Sequence, residues 1–544
     1  MNKENALFVK GTAILASAGL FARLMGAVYR IPLFEILGDE GMGYYQMAYP
    51  VYSSLIAIST AGIPIAISKL VSERVTQKDP RGAAQILRVA TTLLIITGLF
   101  FSIILFLGAD YYAENILMTP KAVYSLKSIA PAIFLAVLMS AFRGFFQGTQ
   151  NMVPTALSQV VEQIVRVVTI FILAVAFVPM GVEYGAAGAT FGAVMGMLAA
   201  LCVMIVLVYR NRRKLTQIPS RNLVIQYRNR DVLGQIVKLA LPISIASMVL
   251  PIIQLTDATL VPRRLVAAGF SRSEAAALYG VFTGAAMVLV NVPTLFTTAM
   301  AKSLVPSISE ANAAQNLGAV KSRAGLAIRL TLLLGFPSAL GLFILAEPIG
   351  VMLFDTADVA ITLSIVCFSI IFLTLHQTTG AILQGMGKTY IPVTNLFIGA
   401  LLKIILNYTL TAIPSLNIRG PAIGTVICYL ISSSLNLYMV YKVTGVKLTV
   451  REYIYKPVLT SVIMGLVVWG TYQLVSAIGL FEFISKVHMR LQVTAETLFS
   501  ITVGMLAYGL LLLVFNAITQ KEIESVPLIG KRVIPYLKKL NLLK

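Results

Sequence analysis

Two arginines lie seven residues apart, at Arg23 and Arg30, within the first long apolar stretch of the chain. On a helix this spacing places both side chains on nearly one face, about 10 Å apart along the axis. Because a cation near the centre of a bilayer costs about 2.5–3.5 kcal/mol on insertion scales, such a residue is expected to face water, a partner or a ligand. The pair therefore predicts a site for an extended anion; the alternative is that one or both side chains extend to the membrane interface.

Two further cations lie inside apolar stretches, at Arg166 and Lys403. Arg166 follows Glu162 by four residues, so an ion pair within one helix is available as a purely structural explanation. Lys403 occupies the place equivalent to Arg166 in a second stretch of similar sequence. A cation in both places indicates a shared feature of the fold or of a binding cavity. Glu162 is in addition a candidate for coupling to an ion.

An acidic residue, Asp257, precedes the adjacent arginines Arg263 and Arg264 by six to seven residues, near the expected outer end of an apolar stretch. A carboxylate in this position can pair with one of the arginines, bind a coupling cation, or titrate. Arg263 and Arg264 are further candidates for binding an anionic substrate, together with Arg23 and Arg30.

Motifs of enzymes and metal centres are not found in the sequence. Its two histidines, His376 and His488, do not form a metal site of the usual spacing. QGMGKT at 384–389 resembles the end of a phosphate-binding loop, but Ile382 stands in place of the first glycine. The three cysteines lie in apolar stretches and are expected to pack as small apolar side chains. We therefore expect a protein without cofactor, metal or ATPase domain, driven by a gradient, the membrane potential or substrate turnover.

The composition is that of an integral membrane protein, with 58% hydrophobic residues, 12% charged residues and a mean hydropathy of +0.86. A lipid-exposed backbone must satisfy its own hydrogen bonds, and no strand-like alternation is present, so the expected fold class is all-α. Stretches of roughly 20 apolar residues predict fourteen transmembrane helices. Their expected positions are 8–33, 44–68, 89–108, 128–147, 154–179, 185–209, 235–260, 276–301, 325–346, 361–382, 391–413, 421–441, 457–478 and 494–518.

The distribution of basic residues predicts the orientation in the membrane. With the N-terminus in the cytoplasm, the cytoplasmic segments hold 31 of the 43 lysines and arginines and the outer segments hold 8. An even number of helices then places both termini in the cytoplasm, in a multi-pass protein of the plasma membrane. The net charge of +21 is dispersed over many short cytoplasmic segments, which indicates attraction to anionic lipids and not binding of nucleic acid.

A long-range internal repeat runs through the chain. FRGFFQGTQNMVP at 142–154 recurs as TTGAILQGMGKTYIP at 378–392, and Gln147-Gly148 matches Gln384-Gly385 at an offset of 237. Two similar halves in the same order are a usual way to build a cavity that opens alternately to each side of a membrane.

The repeat predicts three parts. Residues 1–234 form an N-lobe of six helices that ends in a basic cytoplasmic linker, and residues 235–450 form a C-lobe of six helices. Residues 451–544 hold helices 13 and 14 and a basic cytoplasmic tail. Because this last part has no counterpart in the repeat, we expect it to serve a role that the core of a basic transporter lacks.

Three segments of the chain resemble one family: GTAILASAGLFARLMGAVYRIPLFEILGDEGMGYYQMAYPVY (11–52), GIPIAISKLVSE (62–73) and FRGFFQGTQNMVPTALSQVVEQIVR (142–166). They are similar to the MurJ and SpoVB relatives in the polysaccharide-transporter branch of the multidrug/oligosaccharidyl-lipid/polysaccharide (MOP) flippase superfamily. The resemblance covers essentially the whole chain. It implies two six-helix lobes around a central cavity, with the last two helices forming a hydrophobic groove for a lipid tail.

The same resemblance implies a substrate class and partners. The substrate would be an undecaprenyl-diphosphate-linked glycan, with peptidoglycan lipid II as the leading candidate. A flippase of this kind would carry its substrate from the inner to the outer leaflet for cell wall synthesis. The cell-wall synthesis machinery and anionic membrane lipids are the other expected partners.

The chain departs from the family pattern at the expected binding site. Members carry an Arg-x5-Arg-Asp pattern on the first helix; here Arg23 matches the first arginine, while Tyr29 and Arg30 stand in the next two places. The arginines expected on helices 2 and 8 have no equivalent, and Arg263 or Arg264 is the candidate for supplying that charge. The cavity is therefore expected to bind the same substrate class through a different set of cations, or a different lipid-linked glycan.

Two alternative functions remain open. A cation-coupled drug exporter of the same superfamily would favour acidic residues in the cavity and twelve helices. A non-transporting membrane scaffold for wall assembly needs no buried charges, so substitution of Arg23 distinguishes a scaffold from a flippase.

Overall fold

The computed structural model describes residues 3–60, 62–216, 228–446, 448–482, 489–515 and 517. Every regular element in these residues is helical, which confirms the expected all-α fold class. The predicted basic tail 519–544, the centre of the predicted linker and His488 lie outside the described residues.

The chain divides into two compact units. One comprises Met1–Gly284 with Asn407–Ile418, and the other comprises Ala285–Leu406 with Arg419–Lys544. The lobes expected from the sequence are defined by the repeat and not by compactness, so their boundary near residue 234 stays a prediction.

The first unit is built from long helices joined by short turns. Its described helices are α1 (Lys3–Val28), α2 (Arg30–Thr60), α3 (Ile63–Thr76), α4 (Pro80–Tyr111), α5 (Val123–Gly148), α6 (Val153–Phe177), α7 (Val182–Thr216), α8 (Asn229–Ser247), α9 (Val249–Ala267) and α10 (Arg272–Gly280). A π-helical turn at Tyr112–Ile116 extends α4, and 3-10 turns at Pro120–Ala122 and Val178–Met180 precede α5 and α7. α2 consists of two helical pieces that meet at Gly38, whose φ of 66° interrupts the helix.

The described part of the second unit is also built from helices. Its described helices are α11 (Met287–Ala313), α12 (Leu317–Ile344), α13 (Ala346–Phe354), α14 (Val359–Val366), α15 (Ser369–Gly385), α16 (Tyr390–Leu410), α17 (Arg419–Thr444), α18 (Lys456–Ile478) and α19 (Met489–Val514). π-helical segments at Val281–Ala286 and Arg451–Tyr455 precede α11 and α18. The unrepeated helices α18 and α19 pack against each other, α18 also packs on α12, and α19 on α13.

The described residues contain eleven helical runs long and apolar enough to cross a membrane, or twelve if the bent pair α14 and α15 counts as one span. The first two expected spans merge into one run, Ser17–Thr76. The seventh is split at Met248 into α8 and α9, and three charged residues in each half lower its hydropathy. These charges are Arg230, Asp231 and Lys238 in α8, and Asp257, Arg263 and Arg264 in α9. A multi-pass membrane fold is confirmed, and the exact count of fourteen is not.

The repeat seen in the sequence is present in the helix packing of both units. Gly148 and Gly385, a matched pair in the repeat, each lie near the end of a helix against a neighbouring backbone. A Cβ atom on Gly148 would lie 2.7 Å from the carbonyl oxygen of Ser68, and one on Gly385 would lie 2.9 Å from that of Val305. Ser68 and Val305 are themselves separated by the same offset as the two glycines. The same close helix crossing is therefore built twice, and only glycine fits it.

Helix caps repeat with the same offset. Asp79 caps α4 by accepting a hydrogen bond from a backbone amide three residues later at 2.8 Å, and Asn316 caps α12 in the same way at 2.9 Å. The residues before these caps, Lys78 and Gln315, have left-handed φ angles of 55° and 53°. Short polar side chains at the N-cap satisfy backbone amides that a helix leaves unpaired. The two halves therefore share this turn geometry at equivalent places in the sequence.

A glycine stripe on α7 brings that helix close to α6. A Cβ atom on Gly196 would lie 2.7 Å from the carbonyl oxygen of Glu162, and one on Gly192 would lie 3.0 Å from that of Arg166. With Gly188 these residues form the GxxxGxxxG pattern, in which small residues let two helix backbones approach. The stripe therefore fixes the α6 backbone at the positions of Glu162 and Arg166.

The turns between helices provide a test of the predicted orientation. In a cysteine-free variant, single cysteines replacing Gln150 and Gln315 should be protected from a membrane-impermeant maleimide in intact cells, because the positive-inside asymmetry places both turns in the cytoplasm. A cysteine replacing Met180, which is 66% exposed, should react. Permeabilised cells, in which all three positions should react, serve as the control. Labelling at Gln150 in intact cells would show that the orientation is reversed.

Candidate functional site

Glu162 binds two arginines at the centre of a charged cluster in the first unit. Its Oε1 accepts a hydrogen bond from Arg166 Nη2 at 2.6 Å, and its Oε2 accepts one from Arg143 Nη2 at 2.8 Å. Arg143 also donates from Nε to Ser158 Oγ at 3.2 Å. The side chains of Glu162, Arg166 and Arg143 are 11%, 16% and 20% exposed. The expected ion pair within α6 is therefore present, and Arg143 extends it to α5.

A ladder of tyrosines on α2 lies beside this cluster. The ring centroids of Tyr45 and Tyr49 are 4.8 Å apart, and those of Tyr49 and Tyr52 are 6.0 Å apart. Spacings of four and three residues place the three rings on one helix face. Tyr45 Oη shares a hydrogen bond of 2.7 Å with Tyr29 Oη, which ties the start of α2 to its middle. The rings supply a rigid aromatic surface with hydroxyl groups along it.

Arg30 lies on α2, the helix of the tyrosine ladder, and Arg166 lies on α6. The charge of each arginine acts on Tyr29 and Tyr49, and Arg166 acts on Tyr52 as well. We call the whole cluster the arginine–tyrosine site. Its members are Tyr29, Arg30, Tyr45, Tyr49, Tyr52, Arg143, Glu162 and Arg166.

Several buried polar atoms of the arginine–tyrosine site have no hydrogen-bond partner among the residues that the structure describes. They are Nε of Arg30, Nε of Arg166 and Oη of Tyr49. A buried polar group without a partner costs about 1–3 kcal/mol, so such groups point to a bound molecule or to ordered water. Two guanidinium N–H donors and a phenol hydroxyl favour a ligand with anionic oxygen atoms.

The segment Asn407–Ile418 is docked on α9 by two polar contacts. Asn407 Nδ2 donates a hydrogen bond to Asp257 Oδ1 at 2.8 Å. Arg264 Nε donates to the carbonyl oxygen of Tyr408 at 2.9 Å, and its guanidinium carbon lies 4.0 Å from the centroid of the Tyr408 ring. Arg264 is thus bound by Tyr408 through both a hydrogen bond and a cation–π contact.

The end of α16, where Asn407 contacts Asp257, is a second candidate site. Oδ1 of Asn407 and Oγ1 of Thr411 are buried and unpaired within the described part of the chain. Thr411 follows Asn407 by one helical turn, so both side chains project from the same face. A carboxylate, an amide oxygen and a hydroxyl are the ligands that hard cations prefer. No group of three or more His, Cys, Asp and Glu residues suited to a metal occurs in the described ranges, so a cation here would depend on neutral oxygens.

The remaining residues predicted for the site have different surroundings. Arg23 in α1 and Arg263 in α9 have exposed side chains. Lys403 belongs to the second unit, where it is buried with 6% exposure. Within the first unit, the structure brings Arg30, Arg166 and Glu162 together.

A cavity of about 440 Å³ lies elsewhere in the first unit, between α3 and α8. Its lining includes Lys69, Glu73, Arg74 and Lys238. None of the residues predicted for the substrate site lines it. Its wall therefore carries charges of both signs.

Sequence reasoning missed Arg143, the tyrosine ladder and the buried oxygens of Asn407 and Thr411. Arg143 lies within the expected span 128–147, so its charge was a signal of the same kind as that of Arg166. The tyrosines were visible as an i, i+4, i+7 pattern at 45, 49 and 52. Asn407 and Thr411 carry no sequence signal that separates them from other polar residues in apolar helices.

Comparison with known proteins assigns the family. The profile of the family described as polysaccharide biosynthesis protein matches residues 8–312, and that of the MatE family matches residues 242–409. Stage V sporulation protein B of Bacillus subtilis is 30% identical over 527 residues, which cover 97% of this chain and 99% of that protein. The chain belongs to the polysaccharide biosynthesis protein family. The family profile includes the whole arginine–tyrosine site.

Other similar proteins are named as flippases and transporters. Lipid II flippase MurJ of Bacillus subtilis is 29% identical over 486 residues, covering 85% of this chain and 87% of that protein. The solved structure of lipid II flippase MurJ in an inward closed conformation has a TM-score of 0.66 at 16% identity, covering 92% of this chain and 98% of that one. An inward-facing multidrug resistance transporter of the MATE family has a TM-score of 0.65, also at 16% identity, covering 78% and 94%.

These likenesses confirm the resemblance expected from the sequence. The chain is a multi-pass membrane protein of the polysaccharide biosynthesis protein family and has the fold of the MurJ and MATE transporter structures. A family profile alone leaves the substrate open, since the superfamily includes exporters of drugs as well as flippases of lipids.

The double ion pair at Glu162 predicts a large effect of neutralising its carboxylate. Glu162→Gln keeps the shape of the side chain and leaves Arg143 and Arg166 without a counter-charge, so the free energy of unfolding should fall by about 3 kcal/mol. Equilibrium unfolding of the purified protein in mixed micelles measures this change.

Glu183→Gln is the matched control for this variant. The side chain of Glu183 is also largely buried, with 18% exposure. Its partner Lys121 is 52% exposed, and the distance from Lys121 Nζ to Glu183 Oε2 is 3.5 Å. Removing this pair should change the free energy of unfolding by less than about 1 kcal/mol. Equal losses for the two variants would show that Glu162 is not the centre of the cluster.

Proposed function

We propose that the protein is a flippase that carries a lipid-diphosphate-linked sugar precursor from the inner to the outer leaflet of the plasma membrane for cell wall synthesis. Peptidoglycan lipid II is the leading candidate for the substrate. The observation that carries the proposal is the arginine–tyrosine site, where three arginines and one carboxylate lie among apolar helices. Three positive charges and one negative charge leave two positive charges in excess, and a diphosphate diester carries two negative charges.

The geometry of the arginines supports a diphosphate ligand. The unpaired Nε atoms of Arg30 and Arg166 are buried next to Tyr49, whose hydroxyl is also unpaired. Guanidinium groups can bind phosphate through two parallel hydrogen bonds, which an ammonium group cannot do. Arg23 remains part of the proposal because it is exposed on α1, and α1 packs on the helix that carries Arg166.

Transport requires that the site open to each leaflet in turn. We propose two lobes, 1–234 and 235–450, that alternate between these states, with both termini in the cytoplasm. The basic residues of the cytoplasmic segments would also attract anionic lipids. Arg263, Arg264 and Lys403 are proposed to assist at stages of the cycle in which the substrate is outside the arginine–tyrosine site.

A coupling cation offers a source of energy for this cycle. We propose that Asp257, Oδ1 of Asn407 and Oγ1 of Thr411 bind a small monovalent cation such as Na⁺. The support is that Asn407 and Thr411, one helical turn apart, each have a buried, unpaired oxygen atom, and that the amide of Asn407 donates to Asp257. Glu162 is a weaker candidate for this role, because both of its oxygens already accept hydrogen bonds from arginines.

The two alternative functions fit the geometry less well. A drug exporter for cationic compounds would need an excess of acidic groups, whereas the arginine–tyrosine site has an excess of basic ones. A scaffold would have no use for buried donors without partners. The similarity to a lipid II flippase over 85% of the chain also supports a lipid substrate.

Substitution of Arg30 tests the proposed substrate site. Arg30→Gln should lower the initial rate of transport of a fluorescent lipid II analogue in proteoliposomes at least tenfold, because one of the two excess charges is lost. Arg30→Lys should restore part of the rate, since lysine keeps the charge but not the planar fork. Access of the label to a membrane-impermeant quencher reports transport, and Arg81→Gln on the exposed face of α4 is the control that should leave the rate unchanged.

Other outcomes distinguish the alternatives. A wild-type rate for Arg30→Gln would exclude the arginine–tyrosine site as the substrate site. Transport of a cationic dye in place of the lipid would support the exporter. Absence of any transport by a wild-type protein that restores growth of cells lacking redundant flippases would support the scaffold.

Substitution of Thr411 tests the cation site. Thr411→Val removes one proposed ligand at constant volume, so the Na⁺ concentration for half-maximal transport should rise roughly tenfold, the equivalent of about 1.4 kcal/mol. Thr394→Val is the control, because the hydroxyl of Thr394 already donates to the carbonyl oxygen of Ile391 at 2.9 Å. An unchanged Na⁺ dependence in Thr411→Val would remove this site from the coupling mechanism.

A further inference from the structure

The cavity between α3 and α8 lies where two antiparallel helices leave a close contact. Near the start of α3, the backbone amide of Gly62 donates a hydrogen bond to Ser244 Oγ, near the end of α8, at 3.1 Å. A Cβ atom on Gly62 would lie 2.1 Å from the carbonyl oxygen of Ala240, so only glycine allows this contact. The cavity of about 440 Å³ lies between the opposite ends of the two helices. This volume is within the range of roughly 300–1,000 Å³ that is typical of small-molecule sites.

Polar side chains from both helices line the cavity. They are Lys69, Glu73, Arg74 and Gln77 from α3 and its C-cap, and Gln235 and Lys238 from α8. Arg74 is bound to Asp79, with 3.8 Å between Nη1 and Oδ2, whereas the two lysines form no ion pair within the part of the chain that the structure describes. The wall and Asp79 together hold three positive and two negative charges, which leaves a net charge of +1.

Each lysine of the cavity follows the same order along its helix relative to an exposed apolar side chain. Ile65 lies four residues from Lys69, on the side of the α3–α8 contact, and is 54% exposed. Leu241 lies three residues from Lys238, again on the side of that contact, and is 59% exposed. These spacings place each apolar residue on the same helix face as its lysine. The cavity therefore lies at a boundary between an apolar and a charged surface, as a lipid head group requires.

The charges and hydrogen-bonding groups of the wall define the ligand. A net charge of +1 is balanced by one phosphodiester, whereas a diphosphate diester would leave a negative charge in excess and a zwitterionic head group would leave the positive one. The ammonium groups and the amides of Gln77 and Gln235 donate hydrogen bonds to phosphate oxygens. The carboxylate of Glu73 repels a phosphate and accepts hydrogen bonds from hydroxyl groups. The ligand is therefore a phosphodiester with hydroxyl groups on its far side.

We infer that this cavity binds the head group of an anionic phospholipid of the phosphatidylglycerol type. Lys69 and Lys238 hold the phosphate from opposite walls, and the acyl chains lie along the exposed Ile65 and Leu241. The phosphate also compensates the repulsion between the two lysines, so the lipid stabilises the packing of α3 on α8. No member of the arginine–tyrosine site lines the cavity, and the lipid site does not depend on the proposed function.

Binding of phosphatidylglycerol to the full-length protein in a nonionic detergent, measured by native mass spectrometry, tests the site. The wild-type protein should bind its first phosphatidylglycerol about tenfold more tightly than phosphatidylcholine or phosphatidylethanolamine with the same acyl chains. Lys69→Gln and Lys238→Gln should each weaken binding of phosphatidylglycerol about fivefold, as expected for one basic residue at a lipid surface, and leave binding of phosphatidylcholine unchanged. Lys69→Arg keeps the charge and should bind as the wild type does.

Lys302→Gln is the matched control. Lys302 is an exposed lysine of α11 that does not line the cavity, so its substitution removes the same charge from a different place. The affinity for phosphatidylglycerol should stay unchanged. Equal losses in Lys302→Gln and Lys69→Gln, or equal affinities of the wild type for the three phospholipids, would show that the lipid follows net charge and that the cavity is not its site.

Two further probes identify the source of the phosphate. Glycerol 1-phosphate has the chemistry of the head group without acyl chains, and at millimolar concentration it should not displace phosphatidylglycerol; displacement would overturn the assignment to a lipid. A polyprenyl diphosphate should bind equally well to the wild type and to the variant with both Lys69→Gln and Lys238→Gln. If the double variant instead loses the polyprenyl diphosphate and keeps phosphatidylglycerol, the cavity belongs to the substrate path and the phospholipid site is refuted.

Discussion

Two guanidinium groups share the carboxylate of Glu162, and the first unit is arranged so that this ion cluster can exist among apolar helices. An unpaired arginine near the bilayer centre costs about 2.5–3.5 kcal/mol, so Arg143 and Arg166 need a counter-charge where they lie. α5 and α6 each contribute one of them, and the glycine stripe of α7 fixes the α6 backbone at both Glu162 and Arg166. The position of the candidate site is therefore decided by helix packing before any substrate is considered.

The second half of the chain repeats this helix packing but lacks the charged residues at the positions of Glu162 and Arg143. In the register that matches Gly148 to Gly385, Gly399 stands in place of Glu162 and Gly380 in place of Arg143. A Cβ atom on Gly399 would lie 2.4 Å from the carbonyl oxygen of Cys428, so α16 and α17 close together where the first half holds a carboxylate. The polar groups inside the second unit are mostly neutral, as in the hydrogen bond of 2.8 Å between Ser432 Oγ and His376 Nδ1. The two halves therefore share the same helix packing, whereas the arginine–tyrosine site lies in the first half.

The parts of this arrangement that follow local rules were predictable from the sequence. The ion pair of Glu162 and Arg166 depends on helical spacing within one element, and the GxxxGxxxG contact of α7 depends on residue size alone. The bond from Arg143 to Glu162 joins two helices, so no spacing along the chain reveals it. The hydrogen bond from Asn407 to Asp257 in the seventh expected span likewise joins two elements, so no spacing along the chain reveals it.

A carrier of the proposed kind must bind its substrate firmly and still release it, and in the proposed mechanism the arginines of the site divide these tasks. Arg143 and Arg166 share the single negative charge of Glu162, so the site does not hold three uncompensated cations in an apolar region. Arg30 forms no ion pair among the described residues, and its buried Nε awaits a partner. The attraction for an anion therefore comes mainly from Arg30 and from the incomplete neutralisation of the other two. In the proposed cycle Glu162 pairs with both arginines again as the substrate leaves, so release does not expose their full charge and the affinity is moderated on both sides of the membrane.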